Sequence, residues 1–171
     1  MQRLINLGEI DPAEFFHLHN MLETTTIPLQ VANNRKGFDI HRCACLGLVK
    51  NRINRKTGLS AFSRKHPHIW AEVKRIGELF SPVGFTFTSV HLNKNVQCGA
   101  HRDKHNVGLS VIVAFGDYEG GRLLTEHGDD IDTNCNAIIF DGKHTTHWNS
   151  PILSGTKYSL VFYTHECAEE V

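Results

Sequence analysis

Apolar positions along this chain change period partway through. Near the N-terminus, Asp11-Pro12-Ala13-Glu14 supplies a capping side chain, a proline at the first helical position and a carboxylate in the first turn. Phe15, Leu18 and Leu22 follow at helical spacing, which predicts a short amphipathic helix. A second helix is predicted from Pro67, with Ile69, Val73, Ile76 and Phe80 on one face, ending before Pro82. Between them residues 45–49 read as a strand, followed by a basic loop containing Gly58. From residue 85 onward the text becomes short β-rich runs, at 85–93, 109–115, 123–125, 137–140 and 158–164. Gly99, Gly116, Gly120-Gly121, Asn134, Asp141-Gly142 and Ser154-Gly155 punctuate them, a density that suits antiparallel connections in a barrel or jelly roll. The runs alternate imperfectly, as they do when helices cover one face of a sheet.

Composition narrows the class. At 171 residues with 40% hydrophobic content, the chain is read as one domain, its helical and basic part at 1–82 and its β core at 83–171. No apolar run approaches a membrane span and the first residues lack a signal-peptide pattern, so an intracellular protein with no membrane partner is expected. Five scattered cysteines (Cys43, Cys45, Cys98, Cys135, Cys167) argue for thiols rather than a disulfide framework. Net charge is zero, yet residues 50–75 carry Lys50, Arg52, Arg55, Lys56, Arg64, Lys65, Lys74 and Arg75 against Glu72 alone. That local +7 can track phosphates even on a neutral protein; a solvated loop and helix face is the plainer alternative.

The candidate chemistry begins at His101-x-Asp103. On an extended segment residues two apart point the same way, so imidazole and carboxylate can face one metal. With twelve histidines in the chain the pair alone decides nothing. A third ligand is available at His144 or His147, and His147 is preferred because it lies ten residues before Lys157 across a Ser154-Gly155 turn that would return the chain as an adjacent antiparallel strand. Two histidines and a carboxylate leave half a coordination sphere open, the facial arrangement of non-haem Fe(II) oxygenases. In the last strand Lys157, Ser159, Val161, Tyr163 and His165 share one face, and Tyr158, Leu160, Phe162 and Thr164 the other. The second face can be packed; the first is polar at four of five places and reads as a pocket lining, or else as the solvent side of an edge strand.

Four strings then resemble the Fe(II)/2-oxoglutarate-dependent dioxygenases, and among them the TET/JBP group that oxidises methyl groups on nucleic-acid bases. They are His101-Arg102-Asp103-Lys104-His105-Asn106, Tyr118-Glu119-Gly120-Gly121-Arg122-Leu123, the span from His147 to Lys157, and Lys157-Tyr158-Ser159-Leu160-Val161-Phe162-Tyr163-Thr164-His165. The resemblance covers residues 88–165 and implies an α+β, mainly β fold: a double-stranded β-helix with N-terminal helices packed on one sheet. It implies that His101, Asp103 and His147 bind Fe(II), and that Lys157 and Ser159 hold 2-oxoglutarate. Asn93 and Asn95 either line the co-substrate pocket or make turns. Asn106 and His165 would hydrogen-bond a flipped base beside His105, with Tyr163 stacking on it.

The implied reaction consumes O2 and 2-oxoglutarate and turns 5-methylcytosine in DNA into 5-hydroxymethylcytosine, with succinate and CO2 released by a monomeric enzyme. Lys157 stands where the family usually has arginine, keeping a point charge but losing the bidentate fork. The cysteine-rich region of vertebrate TET enzymes is missing from the sequence, so their structural zinc sites are not expected. Thymine hydroxylation, N-methyl base demethylation and protein side-chain hydroxylation are alternatives that keep the iron site, and a β-barrel binding module with zinc or no metal is the non-enzymatic one.

Overall fold

The computed structural model describes residues 4–31, 40–51 and 53–167. Its N-terminal elements are β1 (Leu4–Glu9), α1 (Phe16–Glu23), β2 (Leu29–Val31), β3 (Ile40–Lys50), β4 (Thr57–Leu59), α2 (Ala61–Lys65) and α3 (Pro67–Glu78). Both predicted helices are present. Asp11 Oδ1 accepts from the Ala13 amide at 3.0 Å, starting a 3-10 turn that runs into α1. Phe15, Leu18 and Leu22 are buried, as are Ile69, Val73, Ile76 and Phe80 on or just beyond α3. The later elements are β5 (Ser89–Lys94), β6 (Asn106–Phe115), β7 (Tyr118–Gly120), β8 (Leu123–Thr125), β9 (Asp130–Ile131), β10 (Asn136–Phe140), β11 (His147–Asn149), β12 (Ile152–Gly155) and β13 (Tyr158–His165).

A large antiparallel sheet runs β1-β10-β6-β13-β5-β3-β2, with β4 attached to β3. Two smaller groups, β11-β8-β9 and β12-β7, supply the second layer. This is the jelly-roll, mainly β architecture expected from the sequence. One face of the large sheet meets α1 and α3: Leu46, Val90, Leu92, Val111, Val113, Leu160 and Phe162 pack there against Leu18, Leu22, Val73 and Ile76. On the other face Ile112, Ile138 and Phe140 meet Leu123 from the second layer. β13 is central, hydrogen-bonded to both β5 and β6, so both of its edges are paired. Its parity holds as read: Tyr158, Leu160 and Phe162 are fully buried towards the helices, and Ser159, Val161, Tyr163 and His165 line a cavity on the other side.

Several sequence expectations are corrected. Gly58 is not in a loop but in β4, opposite Val49, so β3 and β4 form a hairpin, with Asn51 and residues 53–56 described at its tip. The run at 85–93 is a strand only from Ser89; Phe85 and Phe87 instead pack their rings on Phe80 and Phe162. Ser154-Gly155 does not return the chain beside β11, because β12 pairs with β7 and β13 inserts between β5 and β6. Strands β1, β2, β7, β9, β11 and β12 add to those expected from the sequence. The basic stretch is also divided among the β3–β4 hairpin, α2 and α3, while Arg52 lies outside the described residues. Arg75 is a structural staple, donating from Nη1 to Glu14 Oε2 and from Nη2 to the Glu14 carbonyl, both at 2.6 Å.

Candidate metal centre

His101 and His147 are far apart in sequence but form a two-residue antiparallel bridge. The His101 amide donates to the His147 carbonyl at 3.1 Å, and the His147 amide returns the bond at 3.0 Å. Asp103 is fixed by its own amide, which donates to the Gly142 carbonyl at 2.9 Å. Glycine is required opposite it, since a Cβ at 142 would meet Asp103 Oδ2 at 2.9 Å. The outcome is a cluster in which Asp103 Oδ1 lies 3.5 Å from His101 Nε2 and Oδ2 lies 3.3 Å from His147 Nε2. All three donor atoms lie within 4.8 Å of one another.

This donor set fits Fe(II). Ligand atoms about 2.1 Å from an ion and at right angles to one another are about 3 Å apart, close to the spacing seen. Each imidazole is also oriented to coordinate an ion. Nδ1 of His101 lies 2.8 Å from the Gly99 carbonyl, and Nδ1 of His147 lies 2.8 Å from the Thr145 carbonyl. A carbonyl can only accept, so Nδ1 carries the proton and the Nε2 lone pair is left for a metal. Burial alone would raise the Asp103 pKa, but an Nε2–H and positive charge on His101 and His147, whose place a cation takes when it binds the Nε2 lone pairs, hold the carboxyl well below its usual range. His144, the other candidate ligand, is exposed and sits 2.9 Å from Asp141 Oδ2.

The cluster opens into a cavity of about 970 Å³, whose wall includes Asn93, Asn106, His105, Ser159, Tyr163 and His165. Asn93 donates from Nδ2 to Ser159 Oγ at 3.3 Å across β5 and β13. Asn95 does something else: its Oδ1 accepts from the Lys157 amide at 2.7 Å and its amide donates to the Lys157 carbonyl at 2.8 Å. That is the turn-making use of the residue, in a backbone at φ 54°. Lys157 itself is 3% exposed, with Nζ donating to the Gly121 carbonyl at 2.7 Å and lying 5.8 Å from the centre of the Tyr118 ring. Burial pulls its pKa from 10.5 down to about 8.

At the other end Asn106 and His165 face each other across β6 and β13. Asn106 is buried and donates from Nδ2 to Ser110 Oγ at 3.1 Å. His165 Nδ1 accepts from the Cys167 amide at 3.0 Å, and the ring of His105 stacks near it with centroids 6.0 Å apart. His105 is exposed and also pairs with Glu166 at 2.9 Å. Tyr163 is buried, and one face of its ring is covered by His91 at 5.0 Å and 11°. Sequence reasoning misses His91, although it shares a strand face with Asn93 and the parity argument applied to the last strand finds it.

No protein-family model and no curated protein matches this sequence. Solved structures do match its fold. One is "NgTET1 in complex with 5mC DNA", with a TM-score of 0.67 at 14% identity, covering 96% of this chain and 72% of that one. A 2OG-Fe(II) oxygenase family oxidoreductase from Burkholderia pseudomallei gives 0.58 at 15% identity, covering 90% and 79%. The viral collagen prolyl hydroxylase from Paramecium Bursaria Chlorella virus-1, solved as a 2OG complex, gives 0.59 at 13% identity, covering 95% and 94%. The chain therefore has the double-stranded β-helix of the 2OG-Fe(II) oxygenases, and it carries a two-histidine, one-carboxylate cluster inside it.

Proposed function

We propose that this protein is an Fe(II)- and 2-oxoglutarate-dependent dioxygenase that oxidises the methyl group of 5-methylcytosine in DNA to a hydroxymethyl group. The observation that carries the oxygenase reading is the pairing of an open donor face with a buried cation that makes no ion pair within salt-bridge distance among the described residues. His101, Asp103 and His147 offer three donors on one side of a potential ion. Lys157 immediately precedes β13, two residues before the cavity-lining Ser159, and its ammonium donates to a carbonyl and lies near an aromatic face, with Asp132 close enough to favour its charged form only in part against burial. Burial of this ammonium outweighs the attraction of Asp132, and a carboxylate of a dicarboxylate co-substrate placed against it relieves that cost. When bound, iron with 2-oxoglutarate and O2 supplies the oxidising power, and the 2-oxoglutarate leaves as succinate and CO2.

The chain's own residues divide the remaining work. Lys157 and Ser159 hold the distal carboxylate, with Asn93 orienting the Ser159 hydroxyl. Asn106 and His165 present an amide and an imidazole to the edge of an extruded base, and His105 flanks them. With one face of Tyr163 occupied by His91, Tyr163 acts as a wall beside the base. Support for a DNA substrate comes from Lys50 and Lys104 in the cavity lining, where Arg102 is paired with Glu126 at 3.3 Å, and from the fold shared with a protein solved on 5mC DNA.

The test is incubation with Fe(II), 2-oxoglutarate and ascorbate and with DNAs carrying 5-methylcytosine, N6-methyladenine or plain thymine, followed by mass spectrometry of the nucleosides. Hydroxymethylcytosine is expected. Succinate formation with every base unchanged in mass would refute the nucleic-acid reading, and no succinate at all would refute the oxygenase.

A further inference from the structure

The β3–β4 hairpin joins the cavity to an unusual tip. Leu48, Val49 and Lys50 line the same cavity as the metal cluster, and β4 follows after a turn whose described residues are Asn51 and 53–56. At the tip Ile53 is 95% exposed; the next most exposed large apolar side chain among the described residues, Leu153, is 73%. Isolated exposed apolar residues are ordinary on flexible loops. This one is held out by a closed turn. Asn51 Oδ1 accepts from the amides of Ile53 at 2.8 Å and Asn54 at 3.1 Å. The Asn51 amide donates to the Lys56 carbonyl at 2.9 Å, its carbonyl accepts from the Arg55 amide at 2.9 Å, and Asn54 Oδ1 takes the Lys56 amide at 2.9 Å. Asn51 and Asn54 thus commit their side chains to the turn itself, presenting a β-branched, conformationally stiff side chain to solvent. Arg55 and Lys56 beside it are exposed, and Lys50 stands at the hairpin's base.

We infer that Ile53 is a wedge that enters the base stack of duplex DNA while the target base is drawn into the cavity, with Arg55 and Lys56 on the flanking phosphates. This rests on the DNA reading above and extends it to double-stranded substrate. β3 ends at Lys50 and the turn follows at once, so the exposed Ile53 side chain sits at the end of the strand that lines the cavity. Extrusion unstacks a base step, and an apolar side chain inserted there replaces part of the lost contact; aliphatic wedges flanked by cations are a recurrent solution to that problem. The two adjacent cations fit a polyanion and disfavour burial of this tip against an apolar protein groove. Ile53 is a positioning residue, remote from the reacting atoms.

The experiment compares initial rates of methylcytosine oxidation on a duplex and on the same strand alone for the wild type, Ile53→Ala and Ile53→Leu. Extrusion is followed separately by the fluorescence of 2-aminopurine placed next to the target. The expected result is that Ile53→Ala slows the duplex reaction roughly 10-fold or more, lowers the extrusion signal and leaves the single-strand rate unchanged, while Ile53→Leu restores both. Equal loss on both substrates, or no loss on either, overturns the wedge while leaving the proposed function in place. If the wild type oxidises neither DNA, the function on which the wedge rests has failed, a distinct outcome read before any variant is compared.

Discussion

Lys157 offers the most quantitative test of the co-substrate site. Burial lowers its pKa from 10.5 to about 8, and because the side chain is 3% exposed, solvent screens little of that effect. The shift corresponds to about 3 kcal/mol against the charged form. A carboxylate placed against Nζ favours the charged form again, so in the complex the amine should titrate near an ordinary lysine. The sign follows directly. Below about pH 8 both states hold the proton and affinity is flat; between about pH 8 and 10.5 the free protein has lost a proton that the complex keeps, so binding takes one up and weakens as pH rises. With a bound-state pKa near 10.5, the dissociation constant for 2-oxoglutarate is about 30-fold larger at about pH 9.5 than at about pH 7. Calorimetric titration of the Zn(II)-loaded protein in two buffers of different ionisation enthalpy measures both the affinity and the proton count. Lys157→Arg, which stays charged throughout, should flatten the profile and serves as the control for other titrating groups. An affinity constant across that range, or a net release of protons relative to that control, would refute the placement of the carboxylate on Lys157.

Metal binding separates the two histidine candidates: His147→Ala should abolish the thermal stabilisation that saturating metal gives, about 3–4 kcal/mol at 100 to 1,000 times the dissociation constant, whereas His144→Ala should keep it. Gly77→Ala should destabilise the fold by about 1–3 kcal/mol in denaturant titrations, because the new methyl would collide with the Phe87 ring and lie 2.8 Å from Phe162. Asn106→Ala and His165→Ala should each cut methylcytosine oxidation by more than about 10-fold while leaving DNA-independent succinate formation intact, the rough cost of losing one polar partner to the base edge in a recognition site; loss of both activities together would point to a structural role instead. DNA affinity should fall steeply with salt. If Lys50, Arg55, Lys56 and Lys104 each meet a phosphate, the log–log slope is about −4, and a slope near zero would exclude backbone contacts by this face.

What can be read from the sequence follows from which elements have both faces committed. β13 lies at the centre of the large sheet with helices on one side and the cavity on the other, so its polar face has to be a lining and not a solvent edge. α1 and α3 declare themselves because their apolar stripes carry capping signals at one end and a stop at the other. Apart from β8, expected at 123–125, the second layer leaves no comparable mark: β7, β9, β11 and β12 are two to four residues long, too short for alternation to be distinguished from a turn. Residues 85–88 have a strand-like alternation that is used to wedge Phe85 and Phe87 under α3. Ser154-Gly155 does carry turn chemistry, but the partner of the strand beside it is set by long-range pairing that no local signal encodes. The hairpin argument that favours His147 over His144 thus rests on a pairing the fold does not contain, and what places His147 is the backbone bridge to His101.

The metal triad and Lys157 do not by themselves choose among substrates, since the same fold occurs in a protein solved on 5mC DNA and in prolyl hydroxylases. Choice must come from the side chains that surround the open half of the coordination sphere. In this chain those are cationic and hydrogen-bonding: Lys50 and Lys104 with Asn106, His105 and His165, while Arg102 is paired to Glu126 and Glu166 to His105. The chain's net charge is zero, so this local excess of positive charge is offset elsewhere and is not a by-product of a basic protein. A proline side chain offers little for an amide and an imidazole to hydrogen-bond, so covering Asn106 and His165 with it would strip water from both and return no polar contact. A pyrimidine edge with a phosphate on either side uses all of them. The rim's cations and hydrogen-bonding side chains are therefore the support for the proposed nucleic-acid substrate, separate from that of the metal cluster beneath them.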